Sequence, residues 1–177
     1  MGDSITQNWL LAHPDFFATS LVNRGISGQT RPQMLIRFRA DVVALHPAAV
    51  HVLAGVNDIA GNTGPSMLGA IEDNIAAMVE IARANGVRVI LASPLPADRF
   101  NWSPQARPAN EIRSLNAWVK DYAARYHLTY ADDYTPMATA TGGLKAELTL
   151  DGVHPNKRGY ELMEPITQTA IAATLTR

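Results

Sequence analysis

Short apolar runs alternate with longer amphipathic stretches along this chain, and that alternation limits the folds that it can form. Four runs have the length and composition of buried strands, at residues 21–25, 48–53, 87–92 and 128–131. The stretches between them carry apolar residues at spacings of three and four, as helices do. Two strands joined by a helix are expected to be parallel and connected in a right-handed sense. The sequence therefore predicts an α/β domain with a mainly parallel sheet that helices cover on both faces.

The helical stretches have recognisable starts and stops. Residues 30–45 are predicted to form the first helix, and Pro65 begins the second. A third follows the loop at residues 97–108, and the chain is helical again from Asn156 onward. Because proline lacks the N–H of a helix interior, Pro165 is expected to split or restart that last helix.

Size and charge narrow the classes of protein to which the chain could belong. Its 177 residues suit one domain, taken here as residues 1–177. Fifteen basic and sixteen acidic residues, without a cationic run, predict no nucleic-acid partner. No stretch reaches the ~20 apolar residues of a membrane span, and the absence of cysteine excludes thiolate chemistry and disulfides. No signal-peptide pattern is present, which favours the cytoplasm, although the compartment and the oligomeric state stay open.

The two ends of the chain carry residues that together suit acyl transfer. Ser4 lies near the start, and Asp151 and His154 lie three residues apart near the end. A serine hydroxyl is a poor nucleophile until a base removes its proton, and that base needs an acid to orient it. We therefore expect a catalytic triad of Ser4, His154 and Asp151 and an acyl-enzyme intermediate.

Two loops between these ends contain donors for the negative oxygen of a tetrahedral intermediate. Gly28 precedes a predicted helix, where a backbone N–H is free and no β-carbon blocks a close approach. Asn57 follows a predicted strand and could donate from its side-chain amide. Taken alone, the first could be a turn glycine and the second a capping asparagine. Loops after parallel strands meet at one edge of the sheet, where both could join the triad.

Four short motifs in chain order resemble those of the SGNH (GDSL) hydrolase family. They are residues 2–4 (Gly-Asp-Ser), 28 (Gly), 55–58 (Gly-Val-Asn-Asp) and 151–154 (Asp-Gly-Val-His). The resemblance covers essentially the whole chain and implies a flavodoxin-like three-layer α/β/α sandwich. It also implies a Ser–His–Asp site without metal or other cofactor. The implied oxyanion hole consists of the Ser4 N–H, the Gly28 N–H and the Asn57 side chain.

The implied substrate is a small-molecule ester. The chain looks most like the lysophospholipase- or arylesterase-type branch of that family, which acts on short acyl esters. A small domain without an evident lid insertion predicts a shallow groove and a preference for acetyl to butyryl groups. Phe100 and Trp102, which look exposed in the loop at residues 97–108, are candidates to line an acyl or sugar pocket, or simply to pack.

The start of the chain departs from the family pattern. Members of the family place an apolar strand directly before Gly-Asp-Ser, whereas only Met1 precedes Gly2 here. The N-terminal strand is thus apparently missing, and the strands at residues 21–25 and 48–53 would face each other across a gap. Since unpaired buried backbone groups are costly, we expect the natural protein to begin upstream with an apolar strand.

Two other functions fit some of the same residues. Asp3, Asp58, Asp151 and His154 could hold Mg²⁺ or Mn²⁺ in a metal-dependent hydrolase. Asp3 is otherwise expected to hold the loop of Ser4 through backbone N–H bonds. Alternatively, the domain could be a non-catalytic flavodoxin-like binding module that holds an anion near Gly28. A distance between the Ser4 hydroxyl and His154 beyond hydrogen-bond reach would favour the binding module.

Overall fold

Three parallel strands form the sheet in the computed structural model, which describes residues 1–18 and 20–176. They lie in the order β1 (Ala49–Val52), β2 (Arg88–Ala92) and β3 (Thr129–Ala131). All three coincide with runs that the sequence predicts as strands. They are short and apolar because helices cover both faces of the sheet, as buried parallel strands require.

Helices form a layer on each face of this sheet. They are α1 (Ser4–Ala12), α2 (Arg31–Asp41), α3 (Val56–Ile59), α4 (Leu68–Ala84), α5 (Ala109–Arg125), α6 (Tyr134–Met137) and α7 (Lys157–Leu175), with 3-10 turns at Pro14–Phe17, Val43–Leu45 and Ala146–Leu148. Val89 and Leu91 of β2 belong to the core under α2, α4 and α5, whereas Ile90 and Ala92 belong to the core under α1 and α7. This alternation confirms the predicted α/β/α sandwich. None of the described helices has the length and apolar character needed to cross a membrane.

Two details of the predicted elements are wrong. Residues 21–25 do not form a regular strand, and Gly25 makes only an isolated parallel bridge with Gly2. Pro165 does not split α7, which continues through it to Leu175. The proline lies on the exposed side of the helix, where water can reach the carbonyl oxygen that loses its N–H partner.

Met1 and Gly2 lie in the sheet between the segment at residues 21–25 and the end of β1. Gly2 bridges Gly25 on one side and Leu53 on the other. The Leu53 N–H donates to the Met1 carbonyl oxygen at 3.1 Å, and the Ile26 N–H donates to the Gly2 carbonyl oxygen at 3.1 Å. Two residues therefore connect the segment before α2 with β1 and lead directly into α1.

On the side of Met1 away from Gly2, a cavity lies at this position in the sheet. A cavity of about 410 Å³, which we call the strand groove, separates residues 20–24 from β1. Its walls include the apolar residues Val22, Leu45, Val50, Ile90, Ile171 and Leu175. The Met1 amine is buried beside the groove and donates to the His51 carbonyl oxygen at 2.9 Å. Burial, followed by the positive charges of Arg37 and Arg24, lowers the pKa of this amine to about 5.

Candidate active site

Ser4 is the first residue of α1, and the preceding residue caps that helix. The Asp3 carboxylate accepts the Ile5 N–H at 2.9 Å. Tyr160 of α7 donates its hydroxyl to the Ile5 carbonyl oxygen at 2.9 Å, which fixes the first turn against the opposite end of the chain. Since the first N–H groups of a helix lack intrahelical partners, the Ser4 N–H is suited to face an anion. Burial raises the pKa of Asp3 to about 6, against the opposing effects of the Ile5 N–H and His154.

Ser4, His154 and Asp151 form a continuous chain of hydrogen bonds. The Ser4 Oγ lies 2.9 Å from His154 Nε2, and His154 Nδ1 lies 2.7 Å from Asp151 Oδ2. An ionised carboxylate only accepts hydrogen bonds, so Nδ1 carries the proton and Nε2 accepts the serine hydroxyl. His154 thus has the tautomer and the orientation of a general base for Ser4.

The turn between Asp151 and His154 holds the carboxylate in its ionised form. Partial burial raises the pKa of Asp151, but hydrogen bonds from the His154 N–H, the His154 ring and the Val153 N–H outweigh it, and the pKa falls below its usual value. Those backbone donors lie 2.8 Å and 3.0 Å from Asp151 Oδ1. Thr149 Oγ1 closes the turn by accepting the Gly152 N–H and donating to the His154 carbonyl oxygen. The backbone itself therefore orients the acid.

The segments that carry the expected oxyanion donors are tied together by hydrogen bonds. Asn57 is buried at the start of α3, and its Nδ2 donates to the Gln29 carbonyl oxygen at 3.0 Å. The Ser27 N–H donates to Gln7 Oε1 of α1 at 2.7 Å. Gly28 has a φ of 76°, a left-handed conformation that favours glycine. Ser4, Gly28 and Asn57 thus lie on three segments that contact one another.

A buried arginine and a buried aspartate, whose contact the sequence analysis missed, anchor the start of α3. The Arg31 guanidinium is fully buried and donates to the Ala54 carbonyl oxygen. Both Asp58 oxygens accept the Arg31 backbone N–H, at 3.0 and 3.2 Å. Burial lowers the pKa of Arg31 to about 10 and raises that of Asp58, and each charge partly reverses the effect on the other. A side chain at Gly55 would collide with the guanidinium, which explains the glycine before Asn57.

The metal alternative has no support among residues 1–18 and 20–176, where no three His, Asp or Glu side chains are grouped as ligands. Asp3 and Asp58 accept backbone N–H groups instead, and Asp151 holds the imidazole. The distance from Ser4 Oγ to His154 Nε2 is within hydrogen-bond reach, so the geometry also gives no support to a non-catalytic binding module.

The loop at residues 97–108 places one aromatic ring beside the triad and buries the other. Phe100 is 1% exposed, so the expectation that it is exposed is wrong; it packs in the small core that includes Ile112 and Val153. Trp102 is 44% exposed and stacks on Phe100, with ring centroids 5.1 Å apart. The Trp102 ring lies 6.1 Å from the His154 ring, so it forms a wall of the site.

A cavity of about 420 Å³ opens next to that wall. It is lined by Asp98, Arg99, Phe100, Asn101, Pro104 and Arg107. The Asn101 side chain donates to the Asp151 carbonyl oxygen at 3.4 Å, which connects the cavity to the catalytic turn. Charged and amide side chains form part of its walls, whereas the walls of the strand groove are mostly apolar.

Known proteins with related sequences and structures contain the same arrangement of elements. A GDSL-like lipase of Bacteroides thetaiotaomicron VPI-5482 is 44% identical, with a TM-score of 0.96 over 98% of this chain and 86% of that one. A proposed acylhydrolase of Bacteroides fragilis NCTC 9343 is 46% identical, with a TM-score of 0.97 over 99% of this chain and 86% of that one.

Among curated proteins, esterase TesA of Pseudomonas aeruginosa PAO1 is 28% identical over 76% of this chain. The chain spans 61% of the length of TesA. A sequence model of the GDSL-like Lipase/Acylhydrolase family matches residues 1–162. With that match and this geometry, the chain belongs to the GDSL-like lipase/acylhydrolase family.

Proposed function

We propose that this chain is a serine esterase that hydrolyses short-chain carboxylic esters through Ser4, His154 and Asp151. The observation that supports it most directly is the hydrogen-bonded chain of 2.9 Å and 2.7 Å that joins these three side chains. His154 Nε2 takes the hydroxyl proton as Ser4 Oγ attacks the ester carbonyl carbon. His154 then gives that proton to the leaving alkoxide, which leaves an acyl group on Ser4.

Water completes the reaction in a second, equivalent step. His154 accepts a proton from the water that attacks the acyl carbonyl, and then returns it to the departing Ser4 oxygen. The products are a carboxylic acid and free enzyme. Throughout, the ionised Asp151 stabilises the imidazolium that forms at each attack, in keeping with its lowered pKa.

Three donors would stabilise the negative oxygen of each tetrahedral intermediate: the Ser4 N–H, the Gly28 N–H and the second hydrogen of Asn57 Nδ2. The first hydrogen of that amide is used on the Gln29 carbonyl oxygen, which aims the amide without consuming it. Donors fixed before the reaction stabilise the transition state without reorganising, and this is the main source of rate enhancement in such sites.

The surroundings of the triad favour a small acyl group and a polar alcohol. The cavity beside the catalytic turn has charged and amide side chains in its walls, including Arg99, Asn101 and Arg107. A long acyl chain needs a continuous apolar surface, since its binding energy comes from burying its methylene groups. Trp102 offers one exposed ring beside His154, enough for a short acyl group or one face of an alcohol.

A panel of soluble nitrophenyl esters, from acetyl to dodecanoyl, tests the substrate assignment. We expect turnover of the acetyl and butyryl esters and a decline with longer chains; faster hydrolysis of the monomeric dodecanoyl ester would overturn the short-chain assignment. A fluorophosphonate probe tests the mechanism independently. It should label Ser4 stoichiometrically and abolish turnover, and labelling elsewhere would refute Ser4 as the nucleophile.

A further inference from the structure

Asn62, in the loop after α3, contacts both of the non-serine oxyanion candidates. Its Nδ2 lies 3.0 Å from Asn57 Oδ1 and 3.3 Å from the Gly28 carbonyl oxygen. Its Oδ1 accepts the indole N–H of Trp102 at 3.1 Å. The Asn62 backbone N–H also donates to the Asn57 carbonyl oxygen, at 3.1 Å. Every polar group of this amide side chain therefore has a partner at the site.

The two ends of this network set its direction. An indole N–H only donates, so the Asn62 oxygen must face Trp102 and the Asn62 nitrogen must face Asn57. At the other end a backbone carbonyl oxygen, that of Gln29, only accepts. The Asn62 and Asn57 amides lie between the Trp102 N–H, which only donates, and the Gln29 carbonyl oxygen, which only accepts. Each amide therefore has one orientation that satisfies both of its neighbours.

That orientation decides whether Asn57 can stabilise an oxyanion. In the observed arrangement its Nδ2 has one hydrogen on Gln29 and a second hydrogen for a substrate oxygen. In the flipped arrangement Asn57 would turn its carbonyl oxygen toward the Gln29 carbonyl oxygen and would lose its donor at the site. Asn62 opposes the flip, because its own nitrogen can only donate.

We propose that Asn62 is a positioning residue of the oxyanion hole, oriented by the Trp102 N–H and acting through Asn57 and Gly28. The proposal rests on the proposed esterase function and adds to it the residue that orients the donors. Asn62 takes no part in making or breaking bonds; it orients other groups and needs no contact with the substrate. Asn62 is exposed, so water replaces part of what its removal takes away.

Replacing Asn62 by Ala tests this directly. We expect kcat for the acetyl ester to fall about 3- to 10-fold, the equivalent of one ordinary hydrogen bond, with KM within about twofold. A fall in kcat without a matching change in KM is expected because the oxyanion exists only in the transition state. Asn62→Asp keeps the acceptor for Trp102 but sets an oxygen against Asn57 Oδ1, and should lose at least as much. Trp102→Phe keeps an aromatic ring beside His154 but removes the N–H together with part of the indole surface; because Asn62 itself is still present, the loss in kcat should be smaller.

A double-mutant cycle separates positioning from a general structural role. In an Asn57→Ala background the further change Asn62→Ala should alter kcat by less than about twofold, because the Asn57 amide that it orients is gone and the longer contact with the Gly28 carbonyl oxygen is what remains. Equal losses with and without Asn57 would overturn the proposal, as would an unchanged kcat in Asn62→Ala. Asn74→Ala is the matched control, since that amide bonds to the Ala70 carbonyl oxygen of its own helix.

The failure of this proposal is distinguishable from failure of the esterase function. If the unmodified chain hydrolyses no ester, or if Ser4→Ala keeps its rate, the proposed function fails. If the unmodified chain is active and depends on Ser4 and Asn57 but not on Asn62, only the positioning role fails. Thermal melts of each variant show whether a loss of rate reflects unfolding instead, and Asn62→Asp provides the folded isostere in that case.

Discussion

Met1 and Gly2 lie between two regions, the proposed triad above Gly2 and the strand groove below Met1. These two regions differ in how fully their polar groups are hydrogen-bonded. Above Gly2, the Ser4 hydroxyl, both ring nitrogens of His154 and both Asp151 oxygens have hydrogen-bond partners. Below Met1, the strand groove leaves residues 20–24 apart from β1. Within the part of the chain that the structure describes, the buried His51 Nε2 beside the groove has no partner.

The comparison indicates that the geometry of the proposed triad depends on local structure and not on the residues that border the strand groove. A helix cap at Asp3 and a turn closed by Thr149 orient the reactive groups. Met1 and Gly2 connect this edge to the strand position below it. Changes above Gly2 should therefore alter turnover with little effect on stability, and changes in the groove should do the reverse.

The strongest test of this separation is Ser4→Ala. Loss of a triad nucleophile typically lowers kcat by about 10⁴ or more, and we expect that loss here with an unchanged melting temperature. The assay is nitrophenyl acetate hydrolysis together with a thermal melt. Ser27→Ala, an exposed serine in the Gly28 loop, is the control and should keep full activity. Retention of half the rate in Ser4→Ala would show that another residue attacks the ester.

Asn57→Ala should have the next largest effect. Removal of one oxyanion donor lowers kcat by roughly 10²–10³, with a much smaller change in KM. Asn57→Asp has the same shape without the N–H donor and should lose as much. Steady-state kinetics on the acetyl ester measure both constants. A rise in KM alone would make Asn57 a residue that binds the ground state of the substrate.

Some elements of the fold could be predicted from the sequence, and others could not. Strands β1 to β3 and helices α2, α4, α5 and α7 were predictable because their apolar residues repeat with a clear period. The regular strand expected at residues 21–25 is absent, because among the described residues this segment pairs in the manner of a sheet at one isolated bridge, between Gly25 and Gly2. A strand is stabilised by its neighbours, and no pattern within residues 21–25 reports whether a neighbour exists.

Some residues of the candidate site could likewise be predicted from the sequence, and others could not. Ser4, Asp151 and His154 could be proposed as a triad from the sequence because acyl transfer requires those residue types together, and the Ser4 Oγ lies 2.9 Å from His154 Nε2. Asn62 and Arg31 were not, since an exposed loop asparagine and an arginine at a helix start are common features of any sequence. Their importance comes from contacts with Asn57 and Asp58 that only the fold creates.

Filling the strand groove should raise stability and leave turnover alone. An extension of about five Val and Ile residues before Met1 would bring apolar side chains into the groove and give partners to the edge of β1. We expect the free energy of unfolding to rise by about 2–4 kcal/mol, from several hydrogen bonds of ~1 kcal/mol each and the filled cavity. Urea denaturation measures the gain, and kcat should stay within about twofold.

An extension of equal length made of Gly and Ser is the control for that experiment. It has the same chain length but a low strand propensity and no apolar side chains. Equal denaturation midpoints for the two extended chains would show that the groove does not accept a strand. A loss of turnover in the Val and Ile version alone would show that the groove and Ser4 are coupled after all.

The smallest expected effect comes from the Met1 amine, whose ordinary pKa of 8.0 falls to about 5 because it is buried beside the groove. Between these values the unfolded chain binds more protons than the folded chain, so this amine makes stability rise as pH increases. His51, with a pKa lowered by burial to about 3, and Asp3, with a pKa raised by burial to about 6, contribute only below about pH 6.5.

Acetylation of the Met1 amine should therefore remove a definite part of the pH dependence. From pH 6.5 to pH 8.0 the free amine contributes a rise of roughly 1–2 kcal/mol in the free energy of unfolding. Burial raises the pKa of Asp133 and opposes this rise, but it does so equally in both chains, so the difference between them isolates the amine.

Urea denaturation of the free and the acetylated chain at both pH values, with Met1 verified by mass spectrometry, gives that difference. If the two chains respond to pH alike, the amine is solvated in solution and the groove beside it is open to water. If they differ as expected while kcat of the acetyl ester is unaffected by acetylation, then a buried amine that directly precedes the Gly2–Ser4 segment influences folding without influencing catalysis.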